Sequence, residues 1–130
     1  MLRLRNDFGA GKAFLLTALA ASLSLTLLGC DSGKDFDHDP PAGKGTLYVV
    51  NYTPNDCNVF IDGTEKRGVD ADDNEWYDLD PNTRRVVVDQ DNTYRVFRGD
   101  VDILEGKRTI LELSSDAVDL NRFDAFIYFD

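Results

Sequence analysis

GTLYVVNYTPNDCNVFIDG, residues 45–63, is the stretch whose pattern decides the fold. Two apolar runs, Thr46–Tyr52 and Asn58–Asp62, are rich in β-branched and aromatic residues, and Pro54 stands between them. Such short runs bounded by turn formers are strands. Val59 and Ile61 fall on one face of the second run, and Asp62-Gly63 after it tolerates the backbone angles of a tight turn.

Toward the C-terminus the same grammar repeats over Glu75–Leu79, Arg84–Asp89, Thr93–Arg98, Val101–Leu104, Thr109–Leu113 and Phe123–Phe129. Val86 and Val88 share a face, as do Thr109, Leu111 and Leu113, and then Phe123, Ala125, Ile127 and Phe129. Pro81-Asn82, Asp91-Asn92 and Glu105-Gly106 supply turns between them. The expected architecture is all-β, an antiparallel β-sandwich of seven or eight strands over residues 46–130. Ser114-Ser115-Asp116 also has the form of a helix cap, which would set Val118 and Arg122 on a common face of a short helix.

Toward the N-terminus the pattern ends at Gly45. Residues 31–45, DSGKDFDHDPPAGKG, are rich in Asp, Gly and Pro and lack a periodicity that would bury a face, so residues 30–45 are expected to form a disordered acidic tether. Ahead of it stand Arg3, Arg5 and Lys12, then an uncharged Leu/Ala-rich run from Ala13 to Leu28. A basic start followed by an apolar core is the layout of a secretory signal peptide, and this run is short of the roughly 20 residues that a permanent span needs.

Leu27-Leu28-Gly29-Cys30 resembles the bacterial lipobox, although Leu28 stands where a small residue is commoner. The resemblance implies cleavage between Gly29 and Cys30, a cleaved segment 1–29, and lipidation of the Cys30 thiol with palmitate-type chains. The partner so implied is the lipid bilayer, reached through acylated Cys30, with the body facing the periplasm or exterior. Asp31 looks like the signal that holds enteric lipoproteins in the inner membrane. Two or three acyl chains anchor stably where one does not, since each buried methylene contributes about 0.8 kcal/mol.

The full chain of 130 residues has a formal net charge of −10. Removing residues 1–29 takes away Arg3, Arg5, Lys12 and Asp7, which leaves 11 basic and 23 acidic residues, net −12. Such a surface repels phosphate backbones and anionic headgroups, so no nucleic-acid partner is expected.

Gly45-Thr-Leu-Tyr-Val-Val-Asn51, Pro54, Cys57-Asn-Val59, Ile61-Asp62-Gly63, Leu79, Pro81 and Val86-Val-Val88 together resemble PEGA-type domains and a related group of exported bacterial lipoprotein domains. The match runs from Gly45 to Leu113. It implies a prealbumin-like or immunoglobulin-like sandwich serving as a structural or interaction module, and carries over no catalytic residue. Asn82 stands where that pattern has Gly, and Cys57 where it has a small residue, which agrees with a buried thiol. The other reading of Cys57 is a reactive thiol in an oxidising compartment.

Each chemical constellation has a plainer alternative. Asp70-Ala-Asp72-Asp73-Asn74-Glu75 offers oxygen ligands for Ca²⁺, yet Glu75 occupies the place where an EF-hand needs Gly and Pro81 the place of its bidentate Glu. Asp100 and Asp102 mimic a carboxylate pair, but Val101 and Ile103 alternate with them as the dry side of an amphipathic strand. Trp76 and Tyr77 would serve as a stacking platform for a sugar or peptide, although one of the two must point inward. His38, between Asp37 and Asp39, is the single histidine and lies in the expected tether, so a Ser-His-Asp or Cys-His arrangement would recruit it from outside the folded body. Asn51-Tyr52-Thr53 matches a glycosylation sequon by accident. Phe126-Ile-Tyr-Phe129 is apolar on both faces, as in a strand between layers or an edge that accepts a partner strand. The function expected is a non-catalytic binding or scaffolding module of the cell envelope with a protein partner and no cofactor. The alternative is a Ca²⁺- or glycan-binding module.

Overall fold

The computed structural model describes residues 35–130; the expected signal peptide, Gly29, Cys30 and Asp31 lie outside the described residues. Eight strands follow in order: β1 Gly45–Asn51, β2 Cys57–Ile61, β3 Thr64–Glu65, β4 Asp73–Leu79, β5 Asn82–Gln90, β6 Val96–Ile103, β7 Arg108–Ser115 and β8 Phe123–Phe129. They make two four-stranded sheets, β4-β1-β7-β8 and β3-β2-β5-β6, and the chain is an all-β sandwich. Leu47, Val49, Val59, Ile61, Val86, Val88, Val101, Ile103, Leu111 and Leu113 meet between the sheets, which are the inward alternates of the strands.

One pairing departs from antiparallel order. β1 runs parallel to β7, with Leu47 opposite Thr109 and Val49 opposite Leu111. The segment around Pro54 does not close a hairpin; it carries the chain from the first sheet to the second, where β2 pairs with β5. Turn residues report only local reversals, so a pairing between distant strands leaves no such mark.

Smaller differences have local causes. The runs at Thr93–Arg98 and Val101–Leu104 fuse into β6, which passes through Gly99 while Thr93 stays in the preceding turn. Asp62 (φ 51°) and Gly63 (φ 78°) both adopt the left-handed region and close the β2–β3 hairpin. Asn82 is absent from the positive-φ residues and opens β5 as ordinary strand, so the Gly-to-Asn departure there has no conformational meaning. No helix forms after Ser115: the Asp116 carboxylate accepts the N–H groups of Val118 (2.7 Å) and Asp119 (3.1 Å), so it caps a turn rather than a helix. Val118, left 94% exposed, has no apolar face to join.

β1 is buried along its whole length. Its inward residues enter the core, while Tyr48 and Val50 form a second cluster with Ile110 on the outer face of the sheet. The expected tether covers that cluster, which corrects the tether from residue 36 onward. Phe36 packs edge-on to Tyr48 with ring centroids 4.8 Å apart. The His38 N–H donates to Tyr48 Oη (2.8 Å), and Arg108 Nε donates to the His38 carbonyl (3.2 Å). Arg108 also holds the Asp39 carboxylate, and Gly106 N–H bonds the Lys44 carbonyl (2.8 Å). Pro40 and Pro41 stiffen this strap before it docks, which lowers the entropy lost on ordering it. At its end Gly45 passes so close to the β6–β7 connection that a Cβ would lie 2.3 Å from the Leu104 carbonyl oxygen.

If the strap is a structural layer, Phe36→Ala will lower stability by about 1–2 kcal/mol, less than the 3–5 of a fully buried phenylalanine because Phe36 is half-buried. Urea unfolding will show this as a lower midpoint at unchanged slope. An unmoved midpoint would mean that residues 36–44 contribute nothing to the fold.

Candidate interaction face

Alternation along the β4-β1-β7-β8 sheet lays out its outer face in rows. Trp76, Tyr48, Ile110 and Tyr128 stand side by side, and Asn74, Val50, Glu112 and Phe126 form the next row. The strap crosses the β4–β1 side. There the His38 ring stacks on the Trp76 indole at 3.5 Å and 10°, and His38 Nε2 lies 2.9 Å from both oxygens of Asp78. Thr46 Oγ1 donates to the same carboxylate (2.6 Å). Beside the stack lies a hollow of about 390 Å³ lined by Asp35, Asp37, His38, Tyr48, Asn74 and Trp76.

Among the described residues no segment crosses the β7–β8 side. Tyr52 and Tyr128 both donate to Glu112 Oε1, at 3.4 and 2.8 Å. Partial burial first, and then the hydrogen bond it donates to Glu112, hold the Tyr128 phenol above its ordinary pKa, so it stays a protonated donor. Phe126 is 60% exposed, and Ile127 and Phe129 about half. This face presents aromatic surface bordered by carboxylates.

The expected site residues separate accordingly. Tyr77 turns inward and donates to the Arg67 carbonyl (2.6 Å), and Trp76 turns outward with one ring face already taken by His38. A sugar platform at Trp76 would have to displace that imidazole. The carboxylates of the 70–75 loop point to different partners: Asp73 accepts its neighbour's N–H (Asn74, 2.7 Å) and Glu75 pairs with Arg67. Among the described residues no three His, Cys, Asp or Glu side chains converge as a metal site. Asp100 pairs with Arg85 (3.1 Å) and Asp102 accepts from Thr83 (2.6 Å), on the wet side of β6. His38 belongs to the folded body, against the expectation that placed it in a mobile segment.

Asn51 is fully buried. Its amide donates to the carbonyls of Asn55 (2.8 Å) and Asp70 (3.0 Å), and its oxygen accepts from Thr53 Oγ1 (2.6 Å). Gln90 reaches Thr53 from the opposite sheet, and Thr93 donates to Gln90 (3.0 Å). Nothing in the residue pattern marks Gln90 or Arg108 as hubs. The strap did leave a sign, in that Phe36, His38 and Pro40 alternate with Asp35, Asp37 and Asp39 as on a half-buried extended segment.

Cys57 is 2% exposed and unpaired. Burial first, and then the charges of Asp91, Asp56 and Asp89, push its thiol up to about 12. Under native conditions at pH 8 it will therefore resist a maleimide or a disulfide reagent and react only after denaturation. Rapid native labelling would contradict its burial.

No family model and no curated protein matches the sequence. Among solved structures, the chain is similar to the N-terminal domain of AlgF from P. aeruginosa, with 11% identity and a TM-score of 0.51 over 69% of this chain and 96% of that one. A protein from Eubacterium rectale solved by NMR aligns at 20% identity and a TM-score of 0.45, over 65% of this chain and 88% of that one. The likeness to the AlgF domain is one of fold, a small β-sandwich.

Proposed function

We propose that the protein is a lipid-anchored bacterial lipoprotein whose sandwich acts as a non-catalytic binding module in the cell envelope. The observation that carries this is one of sequence order: a basic start, an apolar run and Leu27-Leu28-Gly29-Cys30 stand directly before the folded body. The net charge of −12 favours a body that stands off an anionic surface and does not adsorb to it. The resemblance to PEGA-type domains, and the Asp31 that would favour the inner membrane, belong to the same proposal.

A non-catalytic role is supported by how the reactive groups are engaged. The Cys57 thiol is buried and protonated, and the single imidazole is stacked on Trp76 and bonded to Asp78. Exposed aromatic side chains on one sheet favour a protein partner, since such residues dominate the energetics of protein contacts.

The parent chain, expressed in a bacterial host, will incorporate a labelled fatty acid and show an intact mass lacking residues 1–29. Cys30→Ala will take up no label and keep the precursor mass. A parent retaining Met1, or equal labelling of the variant, would overturn the proposal.

A further inference from the structure

We infer that β8 pairs edge to edge with β8 of a second copy of this chain, joining two β4-β1-β7-β8 sheets into one continuous sheet about a two-fold axis. Among the described residues four strands stand at sheet edges. β3 is two residues long, β6 carries exposed Arg98, Asp100 and Asp102, and β4 carries Asp73, Glu75 and Asp78 with Arg67 paired across it. Short length and charge are the devices that keep an edge from pairing. β8, Phe-Asp-Ala-Phe-Ile-Tyr-Phe, has seven residues, no Lys, Arg or Pro, and four exposed large apolar side chains.

The backbone fixes which groups are free. Arg108 and Asp130 exchange both N–H···O bonds, at 3.2 and 2.9 Å. By antiparallel alternation Tyr128, Phe126 and Asp124 also bond to β7, which leaves the N–H and C=O of Phe123, Ala125, Ile127 and Phe129 directed away from the sheet. Two copies satisfy these groups when Ala125 faces Ile127 and Phe123 faces Phe129, with Phe126 on the axis opposite its own copy.

Charge selects this register from its neighbours. Centring on Phe126 places Arg122 opposite Asp130 at both ends, and Asp124 opposite Tyr128. Centring on Ile127 would set Asp124 against Asp130, two carboxylates, and centring on Ala125 would set Asp130 against Leu120. Like charges directly opposite destabilise an antiparallel pair, and opposite charges and aromatic pairs stabilise it. The favoured register supplies both, since Phe126 meets Phe126 on the outer face and Phe123 meets Phe129 on the inner one. A partner whose contact surface is the same patch, related by a two-fold axis, is an isologous dimer.

The test uses the full chain in cell membranes. Phe126→Cys sits at a non-hydrogen-bonded pair on the axis, where Cα atoms approach within disulfide range, and mild oxidation will convert most of it to a covalent dimer. Tyr128→Cys places its thiols four residues apart along the strands, about 13 Å, and will give several-fold less dimer. Ile127→Pro removes an N–H that the monomer leaves free, so added to Phe126→Cys it will abolish the cross-link while the chain still folds, as judged by a protected Cys57. Arg122→Asp will lower the yield several-fold. The pairing does not depend on the anchor, and the cross-link is expected equally in the Cys30→Ala chain. Phe126→Cys that stays monomeric, cross-linking at Tyr128→Cys to the same extent, or β8 cross-linked to a different protein in place of its own copy would each overturn the inference.

Discussion

A strand that is apolar on both faces must be covered on both faces, and β1 imposes that condition on the rest of the molecule. Gly-Thr-Leu-Tyr-Val-Val-Asn is buried at every position. The second sheet covers one side through Leu47 and Val49, while the other side depends on ten residues ahead of the strand. Fully burying side chains such as Val50 and Ile110 stabilises by roughly 1.5–3 kcal/mol each, a substantial share of the 5–15 kcal/mol that holds a typical domain together. The strap is therefore a third layer over half of a two-layer sandwich. Arg108 fastens it at the Asp39 carboxylate and the His38 carbonyl, and joins the same point to β8 through Asp130 (2.7 Å).

At the loop end of β1 the constraint is polar. Asn51, Thr53 and Gln90 are all buried and joined in series, Asn51 of β1 to Thr53 and Thr53 to Gln90 of β5 in the other sheet. A buried amide left unpartnered costs about 1–3 kcal/mol, so this network favours one relative placement of the two sheets over near alternatives. It also closes the Asn51-Tyr52-Thr53 sequon to any modifying enzyme, since the asparagine amide has no exposed surface and no spare hydrogen.

Strand identity was legible from residues because it rests on short-range alternation: Val59 with Ile61, Val86 with Val88 and Leu111 with Leu113 all point into the core as their spacing requires. The turn pairs at Asp62-Gly63 and Glu105-Gly106 marked real reversals for the same reason. The partner of β1 was not legible, because the parallel ladder to β7 is a contact between distant segments that no local motif encodes. The strap was hidden by its composition. Asp35, Asp37 and Asp39 make it look solvated, yet they are the outward alternates of an extended segment whose other side is Phe36, His38 and Pro40. Trp76 and Tyr77 illustrate both cases, since their opposite facing follows from the strand period while the imidazole over Trp76 depends on the fold.

The parallel ladder also bears on the order in which this molecule assembles. The β5–β6 and β7–β8 hairpins join neighbours in sequence and need little loop closure. β1, the first of the strands in chain order, has no such neighbour, for its partners β4 and β7 follow much later, and long-range closure is the slow event in β proteins. Until then Leu47, Tyr48, Val49 and Val50 stand bare to water. A holdase that meets the unfolded chain would find its grip on that strand.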